Sequence, residues 1–294
     1  MAKNLKAALV RLAKTACGGS HQTKEARVNT VKAFADHLQQ AGYGNLRDPA
    51  QIRTTHIASY AASLAGQVTA RTMANKLSHI RAVVAATGKG TMLKESALSN
   101  KALGAAGGSR TGTKTAMPDT AYTHFHTAVS AKSAAAGHVM ELQRALGLRI
   151  NEAVRGANAG TLQQWQKQLQ QGYARITVGT KGGRPRETLV AAHERALAAV
   201  TTALAAATAN GGNVIPAATG KQAYEQVRNA YAAAGMVGRH ASHSLRYAWA
   251  REQLAAYQAQ GMSERQARQE LSQDLGHGDG RGRYVAMVYC RKNG

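Results

Sequence analysis

Apolar residues recur at helical spacing along most of the chain. In Thr23–Ala41 they fall at Val28, Val31, Phe34, Ala35 and Leu38, one stripe of an amphipathic helix that stops at Gly42 and Gly44. The same period predicts a helix over Pro49–Leu64, with Ile52, Ile57 and Tyr60 inward. A third covers Thr69–Ala86, with Met73, Leu77, Ile80 and Val84 on one side. Further helices are expected near Ala191–Ala207, Lys221–Ala234, His243–Gln260 and Ser263–Leu275. One interval departs from this period. Ala174–Val178 and Glu187–Val190 are short β-branched runs flanking a glycine-rich basic turn, Gly179–Arg186, and read as a β-hairpin. The expected fold class is therefore mainly α, a helical domain followed by a mixed α/β domain that is mostly helical with a small hairpin.

The boundary lies in Gly104–Ala116, a Gly/Ser/Thr-rich stretch carrying Arg110 and Lys114 and followed by Met117-Pro118. That composition predicts a flexible basic linker, and proline suits the first turn of a new helix. The layout read from it is a basic N-terminal segment at 1–19, a helical domain at 20–103, the linker at 104–116 and a second domain at 117–294.

Charge changes the picture most. The chain has 294 residues with 38 Lys and Arg against 15 Asp and Glu, a formal net charge of +23. Residues 1–115 hold 17 basic and 4 acidic side chains, and residues 116–294 hold 21 and 11, so both halves suit a polyanion. A hydrophobic fraction of 44% excludes a disordered polycation. Cys17 and Cys290 are too few and too far apart for a disulfide scaffold or zinc finger. There is no signal-peptide h-region, and the Ala-rich run at Leu197–Ala207 is too short to span a bilayer. A cytoplasmic, nucleoid-associated protein that binds nucleic acid and not membrane is the expectation.

Several motifs fail on inspection. Gly107–Thr115 lacks the G-K-[ST] of a P-loop, His193-Glu194 has no second histidine, and His240 with His243 has no third ligand for zinc. No metal site and no cofactor are expected. Trp165 and Trp249 sit among apolar residues and read as core.

Four segments matter together. Leu142–Glu152 carries Arg149 and, three residues on, Glu152 at a helix start. The hairpin tip carries Lys181. His240–Arg246 places His243 and Arg246 one helical turn apart, and Leu275-Gly276-His277 precedes a glycine-rich stretch and then Tyr284 and Tyr289. In this order R-x-x-E, a hairpin lysine, H-x-L-R, L-G-H and a terminal tyrosine resemble the tyrosine recombinase (phage integrase) family, in its compact two-domain Xer/Cre-like layout. The resemblance implies a SAM-like core-binding domain over residues 20–103 and a catalytic domain over 117–294. It implies a site-specific DNA recombinase that works through a covalent 3′-phosphotyrosyl intermediate and a Holliday junction, without metal or ATP. Arg149 and Arg246 would bind the phosphate, His243 and His277 would orient it or accept the tyrosine proton, Lys181 would act as general acid, and Glu152 would support Arg149.

The nucleophile is less directly placed. The family tyrosine follows the L-G-H histidine by roughly nine residues, about two and a half helical turns, which here is Ala286. Tyr289 is favoured because Met287-Val288 keeps an apolar residue before it, and Tyr284 is the alternative. Expected DNA contacts are Arg53, Arg71, Lys76 and Arg81 in the first domain, with Arg110 and Lys114 in the linker. In the second they are Arg184 and Arg186 on the hairpin, then Lys221, Arg228 and Arg239. The expected partner is double-stranded DNA bearing specific sites, gripped by a homo-tetramer that is a monomer in solution, with DNA-bending proteins as candidate accessories. Five residues follow Tyr289, so protomer contacts are expected to use another segment, with Met1–Gly19 the candidate. The competing readings are a type IB topoisomerase or telomere-resolvase-like enzyme, and a non-catalytic DNA-binding protein with a decayed pocket.

Overall fold

Helical periodicity becomes packed helix throughout the computed structural model, which describes residues 4–109, 112 and 114–290. Two units are distinguished, Met1–Ser109 and Arg110–Gly294.

The first unit is built from α1 (Leu5–Thr15), α2 (His21–Gln40), α3 (Thr54–Leu64) and α4 (Ala70–Ala85), with short 3-10 turns at Pro49–Gln51, Met92–Lys94 and Ser96–Leu98. Polar caps set the helix starts. The Asn4 side chain accepts from Lys6 N, Ser20 from Thr23 N and Thr69 from Thr72 N, satisfying amides that have no partner within the helix. The inward stripe of α2 buries Val31, Phe34 and Leu38 completely, and Phe34 meets Tyr60 edge-on at 5.3 Å. Each such side chain contributes about 1.5–3 kcal/mol by leaving water.

Two expectations need correction in this unit. Residues 1–19 are not an independent basic segment. Leu5, Leu9, Ala13 and Cys17 are buried in the same core as Phe34 and Ile57, which commits the apolar face of α1 inside its own domain and removes it as a free protomer contact. The helix read over Pro49–Leu64 is broken, because Ile52 is extended and fully buried and Arg53 starts a new helix. Arg81 is half-buried. Its guanidinium donates to Leu98 O at 2.6 Å and Asn100 Oδ1 at 2.8 Å, bracing the turn after α4.

The second unit runs α5 (Asp119–Lys132), α6 (Ala134–Leu146), α7 (Ile150–Gly156), α8 (Ala159–Leu169), β1 (Tyr173–Ile176) and β2 (Arg186–Leu189). It continues with α9 (His193–Ala209), α10 (Gly220–Ala233), α11 (His243–Ala259), α12 (Glu264–Asp274) and α13 (Gly282–Val288). The strands form an antiparallel hairpin with Tyr173 opposite Leu189 and Ile176 opposite Arg186. One core gathers α5–α10 around Val139, Leu142, Trp165 and Val200. A second joins α11, α12 and α13 through Trp249, Tyr257, Leu271 and Val285. Trp165 also donates from Nε1 to Arg175 O at 3.1 Å, tying α8 to β1. Among the described residues no helix is long and apolar enough to cross a membrane.

Candidate active site

Arg149 occupies the N-cap of α7, and Glu152 stands three residues into that helix. The spacing returns the Glu152 carboxylate to the helix start, where Oε2 accepts from the Arg149 backbone N at 2.8 Å and Oε1 from Arg149 Nη1 at 2.7 Å. Gly147 ends α6 in the left-handed region at φ +61°, and a Cβ there would meet the Trp249 ring. Its carbonyl accepts from Arg246 Nη1, which brings α11 against the G-L-R segment.

Arg246 is completely buried. Its Nη2 donates to Leu275 O, the carbonyl that also accepts from Arg149 Nη2 at 3.4 Å. Two guanidiniums 97 positions apart in sequence thus share one acceptor at the C-terminal end of α12, where the helix presents its partial negative charge. Glu152 lies 3.8 Å from Arg246 as well. Burial pushes the Glu152 carboxyl up, but hydrogen bonds from Arg186 and the charges of Arg186, Arg246 and Arg149 outweigh it and hold the group at about 2. Burial lowers Arg246 to about 10, with Tyr289 and Glu152 acting against that shift.

Arg186 is a further correction. It was expected to touch the DNA backbone, yet it is buried. It donates to both Glu152 oxygens at 2.7 and 2.9 Å and from Nε to Asp274 O at 2.7 Å. The fork of this arginine is satisfied internally, which leaves it no face for a phosphate. The signal that would have found it is the register of β2, whose inward positions are Arg186 and Thr188. Asp274 was missed for the same reason, as a charged residue placed in the core.

Around this cluster stand the imidazoles and phenols. Tyr289 caps α13 and is 2% exposed, and its hydroxyl lies 3.2 Å from His277 Nε2. His243, the first residue of α11, has its ring 6.1 Å from that of Tyr289, and Tyr247 is closer at 4.6 Å. Burial, reinforced by the charges of Arg246 and Arg149, lowers His277 to about 3 and His243 to about 4. Both are therefore neutral near pH 7, and a neutral His277 with its proton on Nδ1 accepts a proton at Nε2. Tyr284 is exposed, with its ring edge-on to His277 at 4.8 Å.

Lys181 stays outside the cluster, exposed at the hairpin tip. The hairpin base is anchored nearby. Gly179, at φ +70°, packs so closely on α7 that a Cβ would lie 2.4 Å from Asn151 O, and Asn151 Nδ2 donates back to Gly179 O at 3.0 Å. The lysine thus rides two residues beyond a docking point on the Arg149–Glu152 helix.

The remaining expected contacts are dispersed. Arg53, Arg71, Arg184, Lys221, Arg228 and Arg239 are exposed and Lys76 is half-buried. Arg71 donates to Ser109 O at 3.1 Å, and Lys114 donates to Gly238 O at 2.6 Å. Arg110 lies outside the described residues.

Three guanidiniums held by one carboxylate and three carbonyls leave a surplus of positive charge beside a tyrosine hydroxyl and a proton-accepting imidazole. Such a set can bind a phosphodiester and attack it. Comparison with known proteins gives the family. Residues 104–252 match the family model described as integrase, and residues 1–93 match that of the phage integrase N-terminal domain. The chain belongs to the tyrosine recombinase (phage integrase) family. It is a site-specific DNA recombinase, and its mainly α fold recurs in solved recombinases. A post-cleavage complex of XerH recombinase with a palindromic difH substrate has a TM-score of 0.56 at 16% identity, covering 97% of this chain and 92% of that one. A lambda integrase tetramer bound to a Holliday junction scores 0.58 at 17% identity over 94% and 75%. A dimer of lambda integrase residues 75–356 on a COC′ core site scores 0.56 at 18% over 93% and 94%. No curated protein sequence matches the recombinase.

Proposed function

We propose that Tyr289 is the nucleophile of this recombinase and that Arg149, Arg246, His243, His277 and Lys181 form its catalytic set. The observation that carries this reading is the shared Leu275 carbonyl, which sets both arginines beside the His277–Tyr289 pair. Tyr289 Oη attacks the scissile phosphorus and gives its proton to His277. The arginines stabilise charge on the non-bridging oxygens as the pentacoordinate state forms, and His243 orients the phosphate. Lys181 protonates the departing 5′ oxygen, leaving a 3′-phosphotyrosyl link. Attack by a 5′ hydroxyl of the partner strand reverses these steps and releases Tyr289. The phosphodiester energy is kept in the covalent link, so the cycle balances without ATP.

The substrate in this reading is duplex DNA bearing specific sites. Exposed Arg53, Arg71, Arg184, Lys221, Arg228 and Arg239, with Lys76 and Lys114, contact its backbone. Strand exchange takes place in a tetramer assembled from monomers on DNA, at a Holliday junction of the kind held by the lambda integrase neighbour, with DNA-bending proteins as accessories. The work is done at the cytoplasmic nucleoid. Mass spectrometry of the peptide attached to a nicked suicide duplex tests the assignment. A phosphotyrosyl at Tyr289 is expected, and a link at Tyr284 overturns it. Plasmid relaxation by the monomer without site preference would mark a topoisomerase instead.

A further inference from the structure

The buried acid just ahead of the L-G-H segment has no part in the steps above. Asp274 is 4% exposed and its two carboxylate oxygens are used separately. Oδ1 accepts from Leu189 N at 3.0 Å, and Oδ2 accepts from Tyr257 Oη at 2.6 Å. The side chain therefore staples the end of α12 to β2 on one side and to α11 on the other. The backbone it fixes is the part that holds the guanidiniums. Asp274 O accepts from Arg186 Nε and from Thr188 Oγ1, and the next carbonyl, of Leu275, accepts from Arg149 and Arg246.

We infer that Asp274 is a positioning residue for strand cleavage: its carboxylate fixes the two carbonyls that aim Arg149, Arg186 and Arg246. A helix end normally frays through its last turn, and carbonyls that wander would carry the guanidiniums with them. Geometry of this kind is worth much in rate, because a misplacement of about 1 Å costs about 100-fold. The inference rests on the recombinase chemistry proposed above. It adds a residue that touches no reacting atom.

The surroundings of the carboxylate also make it titrate in an accessible range. Burial raises Asp274 to about 6, against the hydrogen bonds from Tyr257 and Leu189. Facing it are Tyr257 on α11, itself hydrogen-bonded to Gln253, Arg186 on β2 and Glu270 one turn back on α12. Protonation converts one acceptor oxygen into a hydroxyl and weakens the staple.

The test is single-turnover cleavage of a suicide duplex by the full chain between pH 5 and 8, alongside affinity for the same duplex. Asp274→Asn, a permanently neutral isostere, is expected to slow cleavage by about 10- to 100-fold. Its affinity is expected to stay within about twofold, since the phosphate contacts lie elsewhere. The fall in the parent enzyme's rate below about pH 6 should vanish in this variant. Tyr257→Phe, which keeps the ring in the core, should slow cleavage by a smaller factor. Parent-like cleavage by both variants overturns the inference alone. So does parallel loss of affinity and cleavage with an unchanged pH profile, which marks a fold support. Absence of any adduct from the parent enzyme overturns the proposed chemistry and this inference with it.

Discussion

The carboxylate of Glu152 receives the Arg186 guanidinium as two parallel hydrogen bonds of 2.7 and 2.9 Å while also binding Arg149. Both partners are buried, so removing one strands the other without water. Arg186→Met is expected to destabilise the second unit by about 3–5 kcal/mol, the usual cost of breaking a buried pair. Urea denaturation checks it. The sign with pH follows from the lowered carboxyl. The stability due to Glu152 is complete above about 4.5 and is lost as pH falls toward about 2.

Tyr289→Phe should abolish the covalent adduct while duplex affinity stays within about twofold, because the ring remains in its core and the phosphate contacts are untouched. Tyr284→Phe should still form adduct. Denaturing gels of a radiolabelled suicide substrate distinguish the two outcomes.

Neutral histidines give the protein an acid-sensitive stability. His243 and His277 titrate at about 4 and 3 when folded and near 6.5 when unfolded, so the unfolded chain binds more protons between those values. Stability therefore falls on acidification below about 6.5. Asp274, raised to about 6, acts oppositely between about 4 and 6, but one group is outweighed by two. A melting temperature that drops steadily from pH 7 to 4.5 is expected, and the double variant His243→Gln, His277→Gln should flatten the slope.

Gly179→Ala places a Cβ against the Asn151 carbonyl at a positive φ. The hairpin must lift from α7, at a cost of about 1–3 kcal/mol in strain. Cleavage should fall about 10-fold or more, because Lys181 moves with the hairpin base. Gly182→Ala, which has open space around it, should cleave much faster than Gly179→Ala.

Salt separates the surface arginines from the buried ones. Affinity for duplex DNA should fall by about 1,000-fold or more between roughly 50 and 200 mM salt if about 6–10 phosphates are neutralised. Arg184→Ala should reduce the logarithmic salt slope by about 0.9, whereas Arg81→Ala should reduce it less, because the Arg81 guanidinium is half-buried and also donates to Leu98 and Asn100. Filter binding across a salt series measures both.

Elements with a long apolar period were legible from sequence. The stripe of α2, the faces of α4 and α11 and the β-branched hairpin runs all report a buried side that packing then used. The helix α1 was missed although Leu5, Leu9 and Ala13 recur at its inner face, because four lysines and arginines in the first 14 residues drew the reading toward a basic segment outside the core. Ile52 was read as one point on a continuous helix, since a buried extended residue between two turns keeps the same apolar mark. In the site, R-x-x-E and H-x-L-R carried their own spacing, so Arg149, Glu152 and Arg246 could be named. Arg186 and Asp274 could not. Charge in a sequence is read as exposure, and what buries these two is pairing with distant groups that no local period records.

Because α1 lends its leucines to the interior of the first unit, trimming the chain to begin at residue 20 would open the core that those leucines share with Phe34 and Ile80. A shortened version made for crystallisation is then a sticky, half-closed bundle, and an affinity tag is better attached ahead of Asn4 than spliced in its place.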